Sequence, residues 1–384
     1  CCLGFGSLFV VVVCTRLQIV CLLESDSTMI VTTIRTMAGF SSRALQISRL
    51  GDPRKVLELT THKVSSVLRG NEVLVKWLAS PINPLDINRI EGTYPGSEAP
   101  KIGGSEAVGV VEKAGPNTSL RPGDHVIPLL STEVWSELGV VDSDDLIKIR
   151  SDVDLVIGAT LLINPPTAYA MLKDFVPLQT GDYVIQNSAN SGVGRAVIEI
   201  AHAYGYRTIN LVRDRPEIVA LKEELKSLGA DVVLTEEEFR KEGRKIANEY
   251  DIKLALNGVG GKSALMISSA LIPGGTMITY GGMSKQASQI STSAFVFKGI
   301  KACGVAIGPW MQIPENRNKV LKMFDDLQQL IIEGKLHAPP VELHDLADFS
   351  TAIDRTLAGR NKKQVLLIHP DYETIYPTHS KSKL

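Results

Sequence analysis

The sequence predicts an α/β protein built from a doubly wound parallel sheet and a second, strand-rich domain. From about Ala159 to Gly304, short apolar segments alternate with helical segments, which is typical of βαβ units. From about Ala44 to Arg150, short strands are instead separated by turn signals such as Pro122-Gly123-Asp124. A length of 384 residues suits about two domains of this kind.

The strand-rich part comes first along the chain. Strands are predicted at Glu72–Trp77, Ala107–Glu112 and His125–Leu129. After the α/β part, a helix at Asn318–Glu333 and a short strand at Gln364–Ile368 are expected to return to this first domain. The strand-rich domain is therefore predicted to be assembled from both ends of the chain.

Six strands with intervening helices form the predicted parallel sheet, a Rossmann fold. They are Tyr183–Gln186, Thr208–Val212, Val232–Thr235, Leu254–Asn257, Thr276–Tyr280 and Lys301–Ile307. One of the helices between them is predicted at Pro216–Leu228, where Gly229 ends it.

Composition and charge narrow the function classes. Hydrophobic residues make up 44% of the chain, and its 32 glycines are ordinary for an α/β protein. A formal net charge of −1 gives no argument for a nucleic-acid or membrane-surface partner. Four of the five cysteines lie in the first 21 residues, so no disulfide framework is implied. No Cys/His cluster has zinc spacing, and we expect no metal.

The turn after the first strand of the α/β part carries Ser191-Gly192-Val193-Gly194. Glycines let the backbone approach a ligand closely, and the start of the next helix favours an anion. This is how a βαβ unit holds a pyrophosphate, although Ala189 stands where the pattern would place a first glycine. The alternative is a tight strand-to-helix turn without a ligand.

A second strand leads to Arg213-Asp214-Arg215, about 20 residues beyond the glycines. An acidic residue there suits the ribose of NADH, whereas arginine suits the 2′-phosphate of NADPH. We therefore predict NADPH. The alternative is that both arginines are solvated surface charges. Asp214 is also predicted to be a helix N-cap before Pro216.

Several segments together resemble the zinc-free medium-chain dehydrogenases/reductases, and most closely the mitochondrial trans-2-enoyl-thioester reductases. The resemblance runs from about Arg43 to Ile368. The segments on which this resemblance rests are GDPRKVLEL (51–59), SPINPLDINRIEGTYPG (80–96), GGSEAVGVVEKAG (103–115), INPPTAYAML (163–172), QNSANSGVGRAVI (186–198), TINLVRDRP (208–216) and TYGGM (279–283). Ser105 stands where zinc-dependent relatives carry a metal-binding histidine, which agrees with a metal-free site.

The resemblance implies domain boundaries. It implies an N-terminal extension over residues 1–43, which would be a targeting segment or disordered. A GroES-like catalytic domain would cover residues 44–160 and return over 308–369, around an NADPH-binding Rossmann domain at 161–307. Residues 370–384 would form a tail.

The resemblance also implies a reaction. Family members reduce the C2=C3 bond of a trans-2-enoyl thioester, carried on CoA or acyl carrier protein, in fatty acid synthesis. Hydride goes from NADPH to C3 and a proton arrives at C2. Tyr94 matches the family's proton donor, and a phenol is protonated at neutral pH. The alternative is a loop tyrosine that packs against Pro95.

Cofactor contacts are implied position by position. They are Asn164, Asn190, Ser191, Gly192, Val193, Gly194, Arg213, Asp214, Arg215, Tyr280, Gly281, Gly282, Met283, Val305, Ala306, Ile307, Gly308 and Lys363. Alternatives stay open for three of these places. Asn164 could be a turn residue before two prolines, Gly281-Gly282 a plain turn, and Lys363 a solvated charge.

Two places depart from the family pattern. Val305-Ala306 replaces a Phe-Trp pair, and Val134 stands in a segment that is usually Gly-Thr-Trp. Loss of two aromatic side chains would reshape the pocket, so we expect a chain-length preference that differs from that of typical members.

Targeting signals conflict. Residues 29–50 contain Arg35, Arg43 and Arg49, several serines and threonines, and no acidic residue, which suits a mitochondrial presequence. The chain ends in Ser382-Lys383-Leu384, a peroxisomal address. We favour the mitochondrion. The apolar segment from Leu8 is broken by Arg16 and is short for a membrane span, so no stable membrane insertion is expected.

Two other functions remain open at this point. The first is NADPH-dependent reduction of quinones or small enones on the same fold. The second is dinucleotide binding without catalysis. The family also implies a homodimer, formed through the strand near Lys301–Ile307.

Overall fold

The computed structural model describes residues 39–94, 101–129, 133–359 and 362–376, together with strands in the first 34 residues. These strands are β1 (Gly4–Phe5), β2 (Leu8–Thr15), β3 (Gln18–Ser25) and β4 (Thr28–Ile34), and they form an antiparallel sheet in chain order. Within the described part of the chain, no helix combines the length and the apolar character that crossing a bilayer requires.

The strand-rich domain is built around β7. Its first elements are β5 (Gly39–Ile47), α1 (Pro53–Val56), β6 (Leu57–Ser65), β7 (Glu72–Pro81), α2 (Pro84–Glu91), β8 (Val108–Ala114), β9 (His125–Pro128), β10 (Leu138–Asp142) and β11 (Leu146–Ile149). β5 and β6 form a hairpin of their own, whereas β7 pairs antiparallel with β8 and β10. All residues of β7 except Glu72 and Lys76 are buried, with Trp77 1% exposed, so this strand runs through the core of the domain.

The α/β part begins with two helices, α3 (Leu155–Ala159) and α4 (Asn164–Lys173). It continues with β12 (Tyr183–Gln186), α5 (Gly192–Ala203), β13 (Arg207–Val212), α6 (Ile218–Ser227), β14 (Val232–Thr235), α7 (Glu236–Glu249), β15 (Ile252–Asn257), α8 (Gly261–Ser269), β16 (Thr276–Thr279), α9 (Thr292–Phe297) and β17 (Lys301–Gly304). The described strands run in the order β14-β13-β12-β15-β16-β17, and every pairing is parallel. The predicted doubly wound sheet is confirmed.

The chain then returns to the strand-rich domain. The returning elements are α10 (Ile307–Gln312), α11 (Arg317–Ile332), β18 (Val341–Asp345), α12 (Phe349–Leu357), β19 (Lys363–Leu367) and α13 (Tyr372–Ile375). β19 pairs antiparallel with β7 and parallel with β18, so the last strands complete the sheet that the first strands began. This closure also places Lys363 beside the loop that follows β7.

The segment after β19 packs against the domain, although residues 370–384 were predicted to form a tail. Tyr372 and Tyr376 are 2% and 7% exposed. The Tyr376 hydroxyl lies 2.8 Å from His125 Nδ1, and Lys76 forms an ion pair of 2.8 Å with Asp371. Residues up to Tyr376 are therefore part of the fold.

Several predicted element bounds differ from the structure by a few residues, and two of these differences lie beside the candidate site. The strand predicted at Lys301–Ile307 ends at Gly304, because Ile307 starts α10 instead. The helix predicted to begin at Pro216 begins at Ile218, and Glu217 occupies its N-cap position. Both differences lie at the carboxyl edge of the parallel sheet, where the chain leaves regular structure to line the crevice.

Candidate cofactor and substrate site

Polar side chains end the central strands of the parallel sheet. Asn187 follows β12, Asn257 ends β15, and both are fully buried. Asn187 Nδ2 donates to Asn257 Oδ1 at 2.9 Å, and the amide N–H of Gly258 donates to Asn187 Oδ1 at 2.8 Å. The order of strands reverses between β12 and β15, and ligands bind at such a switch point in open α/β sheets. These asparagines were not predicted as site residues, although Asn257 ends one predicted strand and Asn187 directly follows another.

The turn after β12 is held open by local backbone geometry. Ser191 caps α5, and its hydroxyl accepts a hydrogen bond of 3.1 Å from the Gly194 N–H. A Cβ atom on Gly194 would lie 2.6 Å from the carbonyl oxygens of Ser188 and Ala189, so only glycine fits there. The turn therefore brings the N-terminus of α5 close to the end of β12, and the start of a helix is a favourable place for an anion.

Asn164 and Tyr280 lie on two sides of this turn. A Cβ atom on Gly192 would come within 2.8 Å of Asn164 Nδ2, and Asn164 starts α4. The Tyr280 ring lies over Gly258, where an added Cβ atom would meet the hydroxyl at 2.6 Å. Asn164 Nδ2 and the Tyr280 hydroxyl are both buried and have no hydrogen-bond partner among the described residues. Burial raises the pKa of Tyr280 to about 12, and nearby Ser191 opposes that shift.

The predicted 2′-phosphate segment lies at the end of β13. Arg213 and Asp214 are exposed, and Arg215 is partly exposed. The prediction that Asp214 is a helix N-cap is wrong, because α6 begins two residues beyond Pro216. Asp214 Oδ1 instead accepts from the Arg215 N–H at 2.9 Å and shapes the turn itself.

A groove of about 230 Å³ opens beside this turn. Its lining residues are Asp214, Ile218, Thr235, Glu237, Glu238 and Lys241. It lies between the carboxyl ends of β13 and β14, next to the exposed Arg213. The turn at Gly192 and this groove together span the carboxyl edge of the sheet.

The other predicted contacts lie at the far side of the crevice. After Tyr280, Gly281 is partly exposed and Gly282 and Met283 are exposed, with the Met283 N–H donating to the Gly258 carbonyl at 3.1 Å. Val305 lies beside the end of β16, since its N–H donates to the Thr279 carbonyl at 3.0 Å.

The three residues after Val305 differ from one another in exposure. Ala306 is exposed, Ile307 is buried at the start of α10, and Gly308 is partly exposed. Val134, the other departure from the family pattern, is fully buried in the core of the strand-rich domain. Of the two departures, only Val305-Ala306 therefore borders the crevice.

Tyr94 follows α2 of the strand-rich domain. Gly92 ends this helix in the left-handed conformation, with φ of 73°, and the Thr93 and Tyr94 N–H groups donate to the Asn88 carbonyl at 2.9 and 3.2 Å. Tyr94 is partly exposed. Pro95, the packing partner in the alternative interpretation, lies outside the described residues.

Lys363 starts β19 and points at a buried acidic cluster. Its Nζ donates to Asn83 Oδ1, and Asn83 Nδ2 donates to Glu106 Oε2 at 2.7 Å. Ser105 donates to Asp86 Oδ1 at 2.7 Å. Burial raises the pKa of both carboxyl groups and lowers that of Lys363, and the opposite charges counter these shifts. No local sequence pattern predicts this cluster, because its members come from distant parts of the chain.

The described residues do not form a metal site. Ser105, at the position where a zinc ligand would stand in zinc-dependent relatives, is 3% exposed and bonded to Asp86. In the ranges that the structure describes, no three His, Cys, Asp or Glu side chains are grouped so as to hold a metal ion.

Comparisons with known proteins agree with this geometry. The chain matches the alcohol dehydrogenase GroES-like domain over residues 69–146 and the zinc-binding dehydrogenase model over residues 192–325. A mitochondrial enoyl-acyl-carrier-protein reductase of Caenorhabditis elegans is 53% identical over 332 residues, which is 85% of this chain and 96% of the relative. The protein of the same name from Homo sapiens is 46% identical over 330 residues, covering 84% and 88%.

The fold has solved counterparts as well. A structure of Etr1p with NADP and crotonyl-CoA superimposes with a TM-score of 0.79 at 31% identity, covering 85% of this chain and 100% of that one. Etr1p is a mitochondrial 2-enoyl thioester reductase from Candida tropicalis. Identity at this level over most of both chains shows that the chain belongs to the mitochondrial enoyl-acyl-carrier-protein reductases, within the zinc-free medium-chain dehydrogenases/reductases.

Proposed function

We propose that this protein reduces the C2=C3 bond of trans-2-enoyl thioesters with NADPH. Family membership supports the reaction class. The observation that carries the site is Asn164 Nδ2, a buried donor beside the glycine turn that has no hydrogen-bond partner among the described residues. Buried polar groups are normally hydrogen-bonded, so an unpartnered donor at a switch point supports a bound polar ligand.

The residues present fit NADPH. The turn from Asn190 to Gly194 would hold the pyrophosphate against the N-terminus of α5. Arg213 and Arg215 would pair with the 2′-phosphate beside the groove between β13 and β14. Asn164 would bond the nicotinamide end. When bound, NADPH supplies the hydride that C3 of the enoyl group accepts.

Tyr94 is proposed as the proton donor to C2. Negative charge develops on the thioester oxygen during reduction, and a positioned phenol can neutralise it by giving up a proton. The turn that carries Tyr94 is braced by the Asn88 carbonyl and by Leu50, which lies 2.9 Å from where a Gly92 Cβ would be. The backbone at Tyr94 is thereby fixed to the end of α2 in the strand-rich domain.

The preference for a particular acyl chain length is a further part of the proposal. Ala306 is exposed at the crevice and Val305 is partly exposed, so small side chains border the place where the family carries aromatic ones. We propose a preference for longer or bulkier acyl groups than typical members accept. Val305→Phe/Ala306→Trp should move the preference back toward shorter acyl groups.

A substrate panel tests the function. Purified protein is given enoyl-CoAs of increasing length, an enoyl-acyl carrier protein and simple quinones, each with NADPH and NADH, and nucleotide oxidation is followed. Enoyl thioesters with NADPH should be the preferred pair. Turnover of quinones alone would favour a quinone reductase, and nucleotide binding without any turnover would favour a non-catalytic role.

We propose a homodimer through β17. This strand is the edge of the described parallel sheet, all four of its residues are exposed, and an unpaired edge is a template for another chain. The neighbouring helix α9 exposes Phe295, Val296 and Phe297 by 53%, 62% and 85%. Ala302→Pro should yield a monomer by light scattering. An unchanged oligomeric state would contradict this interface.

We propose that the protein acts in mitochondria, as its relatives' names indicate. Residues 29–38 of the presequence-like segment carry no described side chains, and the terminal Ser382-Lys383-Leu384 lies outside the described residues. Imaging the protein with and without its last three residues tests the location. Mitochondrial signal that survives their removal supports the proposal, and peroxisomal signal that depends on them contradicts it.

A further inference from the structure

Glu106 is a fully buried carboxylate that joins the two domains. It lies on the strand-rich domain, just before β8, and has 0% exposure. Its Oε1 accepts the backbone N–H groups of Leu162 and Ile163 at 2.8 and 2.9 Å. Leu162 and Ile163 belong to the crossover between the domains, so a single side chain fixes the start of the α/β part to the catalytic part.

The bonded amides lie at the start of α4. Ile163 is the N-cap residue of this helix, and Asn164 is its first residue. A carboxylate that accepts N–H groups at a helix N-terminus is stabilised by those bonds and by the helix dipole. Glu106 therefore determines where α4 begins relative to the strand-rich domain.

Asn164 carries this constraint to the cofactor turn. Its Nδ2 atom lies where it would meet a Cβ atom on Gly192 at 2.8 Å, and it has no described partner. A shift of the α4 start would move Asn164 relative to the turn that opens α5. Because Asn164 lies this close to Gly192, a small displacement of Asn164 would alter the geometry of the cofactor turn.

The second oxygen of the Glu106 carboxylate is bonded to an amide, and that amide is bonded in turn to a cation. Glu106 Oε2 accepts from Asn83 Nδ2 at 2.7 Å, and Asn83 Oδ1 accepts from Lys363 Nζ. Each link in this chain joins a donor to an acceptor: the ammonium donates to the amide oxygen, the amide nitrogen to the carboxylate, and the backbone N–H groups to the same carboxylate. Such buried networks are stable only when each member is satisfied.

We infer that Glu106 is a positioning residue for NADPH binding and that Lys363 acts as its counter-ion rather than as a cofactor contact. This inference rests on the proposed function, because it takes the turn at Gly192 as the place where NADPH binds. Glu106 acts through the crossover and Asn164, and it does not touch the reacting atoms.

Glu106→Gln tests the inference. The amide keeps one oxygen for Leu162 and Ile163, but its NH₂ group then faces Asn83 Nδ2, so one hydrogen bond is lost. The Kd for NADPH, measured by fluorescence titration, should rise about tenfold, the magnitude expected for one unsatisfied buried bond. The KM for NADPH should rise with it, while kcat changes less. Amide exchange of residues 162 and 163 should become faster.

A second substitution should rescue the first. In Glu106→Gln/Asn83→Asp the new carboxylate accepts from both the new amide and Lys363, so charges and donors match again. The Kd for NADPH should return to within about threefold of that of the wild type. Failure of this rescue while the protein remains folded would overturn the proposed chain of contacts.

Asp86→Asn is the matched control. Asp86 is buried in the same cluster, and its hydrogen bonds go to Ser105 and the Asn83 N–H rather than to the amides of residues 162 and 163. It should lower the melting temperature and leave the NADPH Kd unchanged. If Glu106→Gln behaves like this control, the inference is overturned and the proposed function stands. If the wild-type protein does not bind NADPH, the proposed function itself is overturned.

Discussion

Asn164 and Gly192 lie in contact although they belong to different helices. The space that a Cβ atom on Gly192 would take is 2.8 Å from Asn164 Nδ2 and 3.0 Å from Asn164 Cγ. The absence of a side chain at Gly192 thus lets the crossover helix α4 approach the N-terminus of α5. This contact brings a side-chain amide to the same place as the backbone N–H groups of the predicted pyrophosphate turn.

Gly192→Ala should weaken NADPH binding. The added methyl group displaces Asn164, and overpacking of this kind costs about 1–3 kcal/mol. We expect the Kd for NADPH to rise about tenfold or more, measured by titration. Gly304→Ala is the control, because its methyl group would come no closer than 3.4 Å to its nearest neighbour. Equal Kd values for the two variants would show that the contact is unimportant for binding.

Tyr94→Phe should remove the proposed proton donor and little else. Loss of a positioned acid lowers kcat by roughly 10²–10⁴-fold, measured with an enoyl-CoA at saturating NADPH. The Kd for NADPH should not change, because Tyr94 lies on the strand-rich domain. Tyr250→Phe is the control and should keep full activity, because the Tyr250 ring packs against Tyr183, with ring centroids 4.6 Å apart. Retained kcat in Tyr94→Phe would remove the proposed role.

Arg213→Ala should change cofactor preference. A hydrogen bond between charged groups contributes about 1.5–3 kcal/mol, so the KM for NADPH should rise about 10–100-fold while the KM for NADH stays unchanged. Arg207→Ala is the control, since Arg207 starts the same strand and pairs with Asp231 at 2.7 Å, far from the crevice. A parallel rise in both KM values would contradict a contact with the 2′-phosphate.

Stability should fall as the pH drops below about 6.5, and His125 should contribute to this loss. Burial lowers the pKa of His125 below its ordinary value of 6.5, while nearby Asp124 opposes that shift. The unfolded chain therefore binds the proton more readily, and stability that is present above 6.5 is lost as the pH falls through the folded-state pKa. Burial also lowers the pKa of His369, which adds to the same trend.

His125→Gln should flatten the dependence of melting temperature on pH between 7 and 5. Glutamine keeps a polar group near Tyr376 but does not titrate. His202→Gln is the control, because His202 is exposed on α5, and its profile should match that of the wild type. If His125→Gln keeps the wild-type slope, the buried ring is not the titrating group.

Much of the site could be predicted because its signals are local. A strand, a small turn and a helix follow one another between Tyr183 and Tyr204, and the structure has β12, the Ser191 cap and α5 there. The predictions of the family and of the doubly wound sheet also rested on local signals, and both are confirmed. Local signals failed at Asp214, because an acidic residue before a proline resembles an N-cap even where the chain makes one more turn before the helix.

What the sequence determined by itself is the backbone's local conformation: apolar periodicity set strands and helices, and glycine at 194 set a turn that no other residue fits. Tertiary structure alone decided which distant polar groups meet. Glu106 bonds amides 56 and 57 residues away, and Lys363 reaches Asn83 across 280 residues. Buried charges require partners, and only the closed fold supplies them, because the partners come from opposite ends of the chain.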